Sequence, residues 1–225
     1  GLHIVDIKAP LSPKYTGCFD SDGYTHDAQC LIYQGPDQDY RGQEICFASN
    51  EDTVTVVDVN NKTKLTQLSK KSYTGRQYTH QGWLSEDQRY FLIDDELDEW
   101  HDGVNTRTYV MDFKDLENPV NKGFYESDGA AIDHNQYVVG SHTYQANYSR
   151  GLRILELGDL SNAEMKEVAY FDTFPESDVT DFPGAWNVYP FFDNGLVIVS
   201  DINRGVFILK PNLPEVDLVY IDGFD

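Results

Sequence analysis

Three short stretches decide the fold: "DGYTHDAQC" (22–30), "QYTHQGW" (77–83) and "AAIDHNQY" (130–137). Each sets a histidine at the opening of a short β-prone run. His26, His80 and His134 follow one another at intervals of 54 residues, and Trp186, in "GAWNVYPFF" (184–192), comes 52 residues later. A second series runs out of phase with the first: "GLHIVDI" (1–7), "TVTVVDV" (53–59), "RTYVMDF" (107–113), "GLRILEL" (151–157) and "GVFILKP" (205–211). These segments alternate apolar residues and mostly end on an acid. Two interleaved series with one period define an internal repeat. A period near fifty residues fits one four-stranded antiparallel blade of a β-propeller.

Composition points the same way. The chain has 225 residues, 13% of them aromatic, enough for a sizeable core. Short Val/Ile/Tyr/Phe runs bounded by Gly, Pro, Asn and Asp dominate, without a long helical apolar stripe. No apolar run is long enough to span a membrane, so membrane insertion is not expected. "GLHIVDIKAP" reads as a strand rather than a signal peptide.

Each repeat divides into four strands. In the second full repeat they are expected at 79–84, 89–94, 106–113 and 119–126, and in the last at 186–192, 196–201, 205–210 and 217–222. Blades then occupy about 15–72, 73–126, 127–183 and 184–225, with a half blade at 1–14. A half blade leaves sheet edges unpaired, which folded proteins avoid. The expectation is an all-β protein that forms part of a larger propeller, its circle completed by upstream chain or by another chain.

In this arrangement His26, His80 and His134 open successive inner strands and line one mouth of the central channel, with Trp186 at the matching place in the next blade. Two roles are open to them. Each imidazole can bond to the neighbouring blade and fix its register, or the three can present a transition-metal site, for which neutral imidazole is a common ligand. Asp27, Gln81, Asp133 and Asn135 are adjacent in sequence, but strand neighbours point to opposite faces, so adjacency alone does not make them orienting partners.

Lys and Arg number 17 against 38 Asp and Glu, a net charge of −21. That excess argues against nucleic acid and anionic membrane surfaces as partners. It reads first as a solvated acidic surface. Its densest run, "DDELDEWHD" (94–102), offers Asp94, Asp95, Glu96, Asp98 and Glu99 as calcium ligands, although without EF-hand spacing.

Of the three cysteines, Cys30 and Cys46 fall on neighbouring antiparallel strands of one blade. They are expected to form a disulfide, the alternative being two buried thiols. Cys18 is left over and suggests a partner outside this sequence. "NKT" and "NYS" make Asn61 and Asn147 candidate glycan acceptors. There is no Gly-x-Ser-x-Gly, no His-Glu-x-x-His and no phosphate loop.

Longer segments carry a family resemblance: "GYTHDAQCLIYQGPD" (23–37), "EICFASNEDTVTVVDV" (44–59), "YTHQGWLSEDQRYFLIDDELDE" (78–99), "NTRTYVMDF" (105–113), "AIDHNQYV" (131–138) and "YQANYSRGLRILEL" (144–157), together with "GLHIVDI" and "GAWNVYPFF". Along essentially its whole length the chain resembles the choice-of-anchor B family, secreted or surface proteins built from LVIVD-type propeller repeats. The resemblance implies export and attachment to a cell surface, with further chain at the N-terminus, but no defined reaction. Two functions follow. The first is a non-enzymatic extracellular module that binds a protein, a glycan or its own copies, using aromatics such as "YQANY" (144–148), Trp100, Tyr189, Phe191 and Phe192. The second is a metal-dependent enzyme acting through the histidines at the channel mouth.

Overall fold

The computed structural model describes residues 1–213. The expected strand at 217–222 lies outside them. β1 (Leu2–Asp6) and β2 (Lys14–Phe19) form an antiparallel pair with Leu2 opposite Phe19. The partial blade therefore runs to Phe19 rather than ending at residue 14, because β2 is its outer strand and not the start of the next repeat.

Three complete four-stranded antiparallel sheets follow. The first blade is β3 (Asp27–Ile32), β4 (Glu44–Ser49), β5 (Val54–Asp58) and β6 (Thr66–Lys71). The second is β7 (Thr79–Leu84), β8 (Tyr90–Asp95), β9 (Arg107–Asp112) and β10 (Val120–Glu126), with a single-turn helix α1 (Asp98–Asp102) between β8 and β9. The third is β11 (Asn135–Val139), β12 (His142–Ala146), β13 (Leu152–Leu157) and β14 (Met165–Phe171). The fourth contributes β15 (Ala185–Tyr189), β16 (Val197–Asp201) and β17 (Gly205–Leu209) to the described residues. β15 stops before Pro190, which has no N–H to continue the ladder.

Strand order within each sheet follows chain order, so every connection is a hairpin. The inner strands β3, β7, β11 and β15 neighbour one another in turn, which is the wheel of a β-propeller. The apolar third strands β5, β9 and β13 have both faces covered because their sheets lie between two others, whereas β17, in the last described sheet, leaves Val206 and Ile208 exposed. Val54, Val56 and Val57 of β5 are fully buried, as is Val110 of β9. Between the first and second blades Phe47 stacks on Phe91 with centroids 5.5 Å apart, and Phe113 meets Phe47 edge-on at 5.1 Å. Leu92, Val110, Val138 and Leu160 fill the next seam, and Ala146, Ile154, Val188 and Val199 the one after it. Phe19 packs with Cys46 and Val57, seating the β1–β2 pair on the first blade.

Candidate metal centre at the inner strands

The period of the sequence becomes a stack of rings. His26 and His80 lie with centroids 4.0 Å apart, His80 and His134 at 4.4 Å, and His134 and Trp186 at 4.3 Å. Nδ1 of His26 bonds to the main-chain carbonyl of His80 at 3.1 Å, and Nδ1 of His80 to that of His134 at 2.8 Å. Nδ1 of His134 bonds in the same way to the carbonyl of Trp186. A carbonyl oxygen only accepts, so Nδ1 carries the proton and donates in His26 and His80, and the Trp186 carbonyl asks the same of His134, whose Nδ1 also lies 2.7 Å from the Asn135 amide nitrogen. A neutral imidazole then leaves Nε2 as a bare lone pair.

His80 and His134 are each 3% exposed. Burial, together with the charge of His134 and His26, pushes His80 down to about 2. Burial also takes His134 down to about 4. Both rings are neutral at physiological pH. Their Nε2 atoms face the Glu96 carboxylate, His80 at 3.6 Å and His134 at 3.8 Å. With neutral rings these are not ion pairs: two lone pairs meet the Glu96 carboxyl group, which burial pushes above its ordinary range. Tyr148 holds that carboxylate by donating its hydroxyl to Oε1 at 2.6 Å. The close approach of the Tyr148 turn to the fourth blade requires Gly184, where φ is 100° and a Cβ would collide with the Tyr148 carbonyl.

One ligand atom from each of His80, Glu96 and His134 lies within 4.8 Å of the others. Two imidazole nitrogens and one carboxylate oxygen suit zinc or ferrous iron and leave coordination positions open. His26 belongs to the stack but not to this trio, and Glu96 takes the third place.

The acidic run therefore does not act as one calcium loop. Asp95 is consumed internally, accepting from Gln77 N at 2.8 Å, Tyr78 N at 2.6 Å and the Tyr73 hydroxyl at 2.9 Å. Glu96 turns to the histidines. Asp94, Asp98 and Glu99 turn instead into the seam toward the third blade, where Asp133 joins them. Burial raises all four of these carboxyls above the ordinary range. Pleating separates Asp94 from Asp95, which face opposite sides of β8, while Glu96 lies just past the strand and Asp98 and Glu99 lie in α1. Asp133 and His134, both just ahead of β11, also part: Asp133 lies among these acids and His134 in the stack of rings. Gln81 likewise reaches the third blade, donating from Nε2 to the Gln136 carbonyl at 3.0 Å while its Oε1 accepts from Gln136 N at 3.1 Å.

The remaining candidates separate by burial. Cys30 and Cys46 are directly opposed on β3 and β4 and form a disulfide. Cys18 is free, its Sγ 3.7 Å from Nε2 of His3 across the β1–β2 pair. Asn61 sits exposed in a turn, its Oδ1 accepting from Thr63. Asn147 is 3% exposed and cannot carry a glycan in the folded protein, which corrects the sequence expectation there. Tyr144 and Tyr148 are buried, whereas Trp100, Tyr189, Phe191 and Phe192 are exposed. Gln136 was not selected from sequence, and Tyr148 only as an aromatic of "YQANY", not as the partner of Glu96. Gln136 stands 55 residues from Gln81, close to the repeat period, but Tyr148 carries no local motif.

These features define the class: a β-propeller with a row of stacked histidines on its inner strands. Comparison of folds places it among known propellers. A protein from Lactobacillus plantarum matches with a TM-score of 0.63 and 15% identity over 94% of this chain and 61% of its own. The periplasmic gluconolactonase of Pseudomonas aeruginosa matches with a TM-score of 0.54 and 16% identity over 71% of this chain and 47% of its own. The dihydro-heme d1 dehydrogenase NirN matches at 0.50 and 16% identity over 83% of this chain and 34% of its own. The chain thus spans less than two thirds of the length of each. No protein-family model matches the sequence, and no curated protein matches it.

Proposed function

We propose that this chain is part of an exported propeller metalloprotein whose transition-metal centre is ligated by His80, His134 and Glu96. The observation that carries the reading is the meeting of two bare Nε2 lone pairs with a carboxylate at 3.6 and 3.8 Å, in a setting that keeps both rings neutral. Main-chain carbonyls orient both imidazoles, and Tyr148 orients the carboxylate, as partners around metal ligands do. A divalent cation held by three side chains supplies a Lewis-acidic centre suited to polarising an ester or lactone carbonyl. The gluconolactonase among the fold neighbours makes lactones a reasonable first assay. The Cys30–Cys46 disulfide supports an oxidising compartment, as does the resemblance to the choice-of-anchor B family.

Elemental analysis of the natively purified protein tests this, followed by cobalt titration of stripped protein. About one equivalent of zinc or iron per chain, and a cobalt spectrum lost in His134→Ala, are expected. Absence of both metal retention and cobalt binding would remove the reading.

A second reading, a binding or assembly module, is favoured by one observation. Tyr189, Phe191 and Phe192 are 49%, 39% and 42% exposed, and the Tyr189 ring meets Phe191 at 5.4 Å and Phe192 at 5.0 Å between centroids. Trp83 and Tyr137 of two other inner strands join Phe191 at 5.9 and 5.7 Å. Such a surface suits a sugar ring or a partner's apolar side chain. Glycan-array binding that is abolished by Tyr189→Ala in a metal-free protein would favour it.

A further inference from the structure

The third strands of successive blades carry matched pairs of side chains: Val54 and Val56 on β5, Thr108 and Val110 on β9, Leu152 and Ile154 on β13, Val206 and Ile208 on β17. In the first three blades the pair is 0–2% exposed, because the following blade covers it. Val54 and Val56 lie in one cluster with Leu84 and Phe91 of the second blade, and Val110 with Val138 of the third. Leu152 and Ile154 lie with Val188 and Val199 of the fourth. Val206 and Ile208 hold the same places in the fourth blade and are 66% and 68% exposed. Ile198, directly opposite Ile208 on β16, extends their face. This face is built as one side of a blade-to-blade seam whose other side is absent among the described residues.

The opposite end of the row shows the converse. Val57 and Met111 point back to the preceding blade and are 0% and 1% exposed. Val57 packs with Phe19 of the β1–β2 pair, and Met111 lies in one cluster with Phe47 of the first blade. Val5 is their counterpart on β1 and is 48% exposed. Within the described residues β1 pairs with β2 alone, whereas β5, β9 and β13 each pair with a strand on their inner side as well.

Exposed apolar faces of this kind mark interfaces. A further blade is the partner they fit, since every covered counterpart already meets one. A second copy fits poorly, because two copies sharing one wheel would exceed the usual range of about four to eight blades. Strand order in each sheet follows chain order, so the inner strands that complete the β1–β2 blade come ahead of residue 1. In a closed wheel that same upstream chain comes round to the fourth blade.

We propose that chain ahead of residue 1 supplies at least one further blade, and that this blade packs on the Val206–Ile208 face of the fourth and closes the wheel. It presents apolar side chains there, as Leu84 and Phe91 are presented to Val54 and Val56. The proposal does not depend on the metal centre.

The test uses the protein expressed from its whole reading frame. In oxidative footprinting of the wild type, Ile208 should fall to the labelling level of Ile154, far below Val120, which is 54% exposed on the outer strand β10. Benzoylphenylalanine at Val206 should crosslink within one chain to a peptide ahead of residue 1, at monomer mass. Ile208→Asp should lower the Tm by roughly 5 °C or more, and Val120→Asp by little. Labelling of Ile208 as strong as that of Val120 overturns the proposal. So does a crosslink into a second copy or beyond residue 225, or a reading frame with nothing ahead of residue 1. Footprinting needs no variant, so it decides even where a substituted chain fails to fold.

Discussion

The imidazole of His80 is tied to the main chain of His134, donating from Nδ1 to its carbonyl oxygen at 2.8 Å across 54 residues of sequence. The same contact links His26 to His80 and His134 to Trp186. One bond thus sets the register between blades and also fixes which ring nitrogen remains for a ligand.

The two consequences can be separated by substitution. His80→Ala leaves the buried His134 carbonyl without a donor and should cost about 1–3 kcal/mol by urea denaturation. His80→Asn places an amide N–H near the position of Nδ1 and should recover much of that loss. It lacks the Nε2 lone pair, so cobalt affinity should stay at least about a hundredfold below wild type. Recovery of both properties in the Asn variant would show that His80 is not a ligand.

The buried rings predict a pH response in metal-free protein. His80 and His134 have folded values of about 2 and about 4, below the ordinary 6.5. Between these limits the unfolded chain binds more protons, so their contribution to stability is complete above about 6.5. It declines as pH falls from there through the folded values. Two imidazoles should therefore remain neutral in NMR titrations from pH 8 to 5. The fall in wild-type Tm toward acid should be steeper than in His134→Asn.

The Cys30–Cys46 bridge closes a sequence separation of 16 residues. Chain entropy assigns such a loop roughly 3 kcal/mol. The Cys46→Ala variant should lose about that much, with additional loss from the cavity left beside Phe19 and Val57. A non-reducing digest should yield the two peptides linked, with Cys18 alkylated.

Expression in a glycosylating host should modify Asn61 and leave Asn147 bare. Asn61 is on a turn, while Asn147 is buried with its Nδ2 3.4 Å from Gln145 Oε1. Peptide mapping after glycosidase treatment distinguishes the two. A glycan on Asn147 would mean that modification precedes folding of the third blade.

Much of the architecture was legible because a propeller writes its geometry as a period. Strands 79–84 and 119–126 fall within one residue of the expected bounds, since turn residues and apolar alternation are local properties. The boundary after residue 14 was misplaced because a single outer strand, "KYTGCF", has no repeat partner to identify its blade. The cross-strand cysteines were also legible, as antiparallel pairing follows from hairpin order.

What the sequence determined by itself is the repeat, the identity of the inner strands and the equivalence of His26, His80, His134 and Trp186. These rest on spacing, and equivalent blades repeat their geometry. Tertiary structure alone decided how one acidic run is shared among separate tasks: Asp95 to its own turn, Glu96 to the histidines, and Asp94, Asp98 and Glu99 to Asp133 of the next blade. Strand pleating and the single turn of α1 set those directions, and packing of one blade on the next supplies the partners. Sequence adjacency groups these acids, but the direction of each side chain separates them.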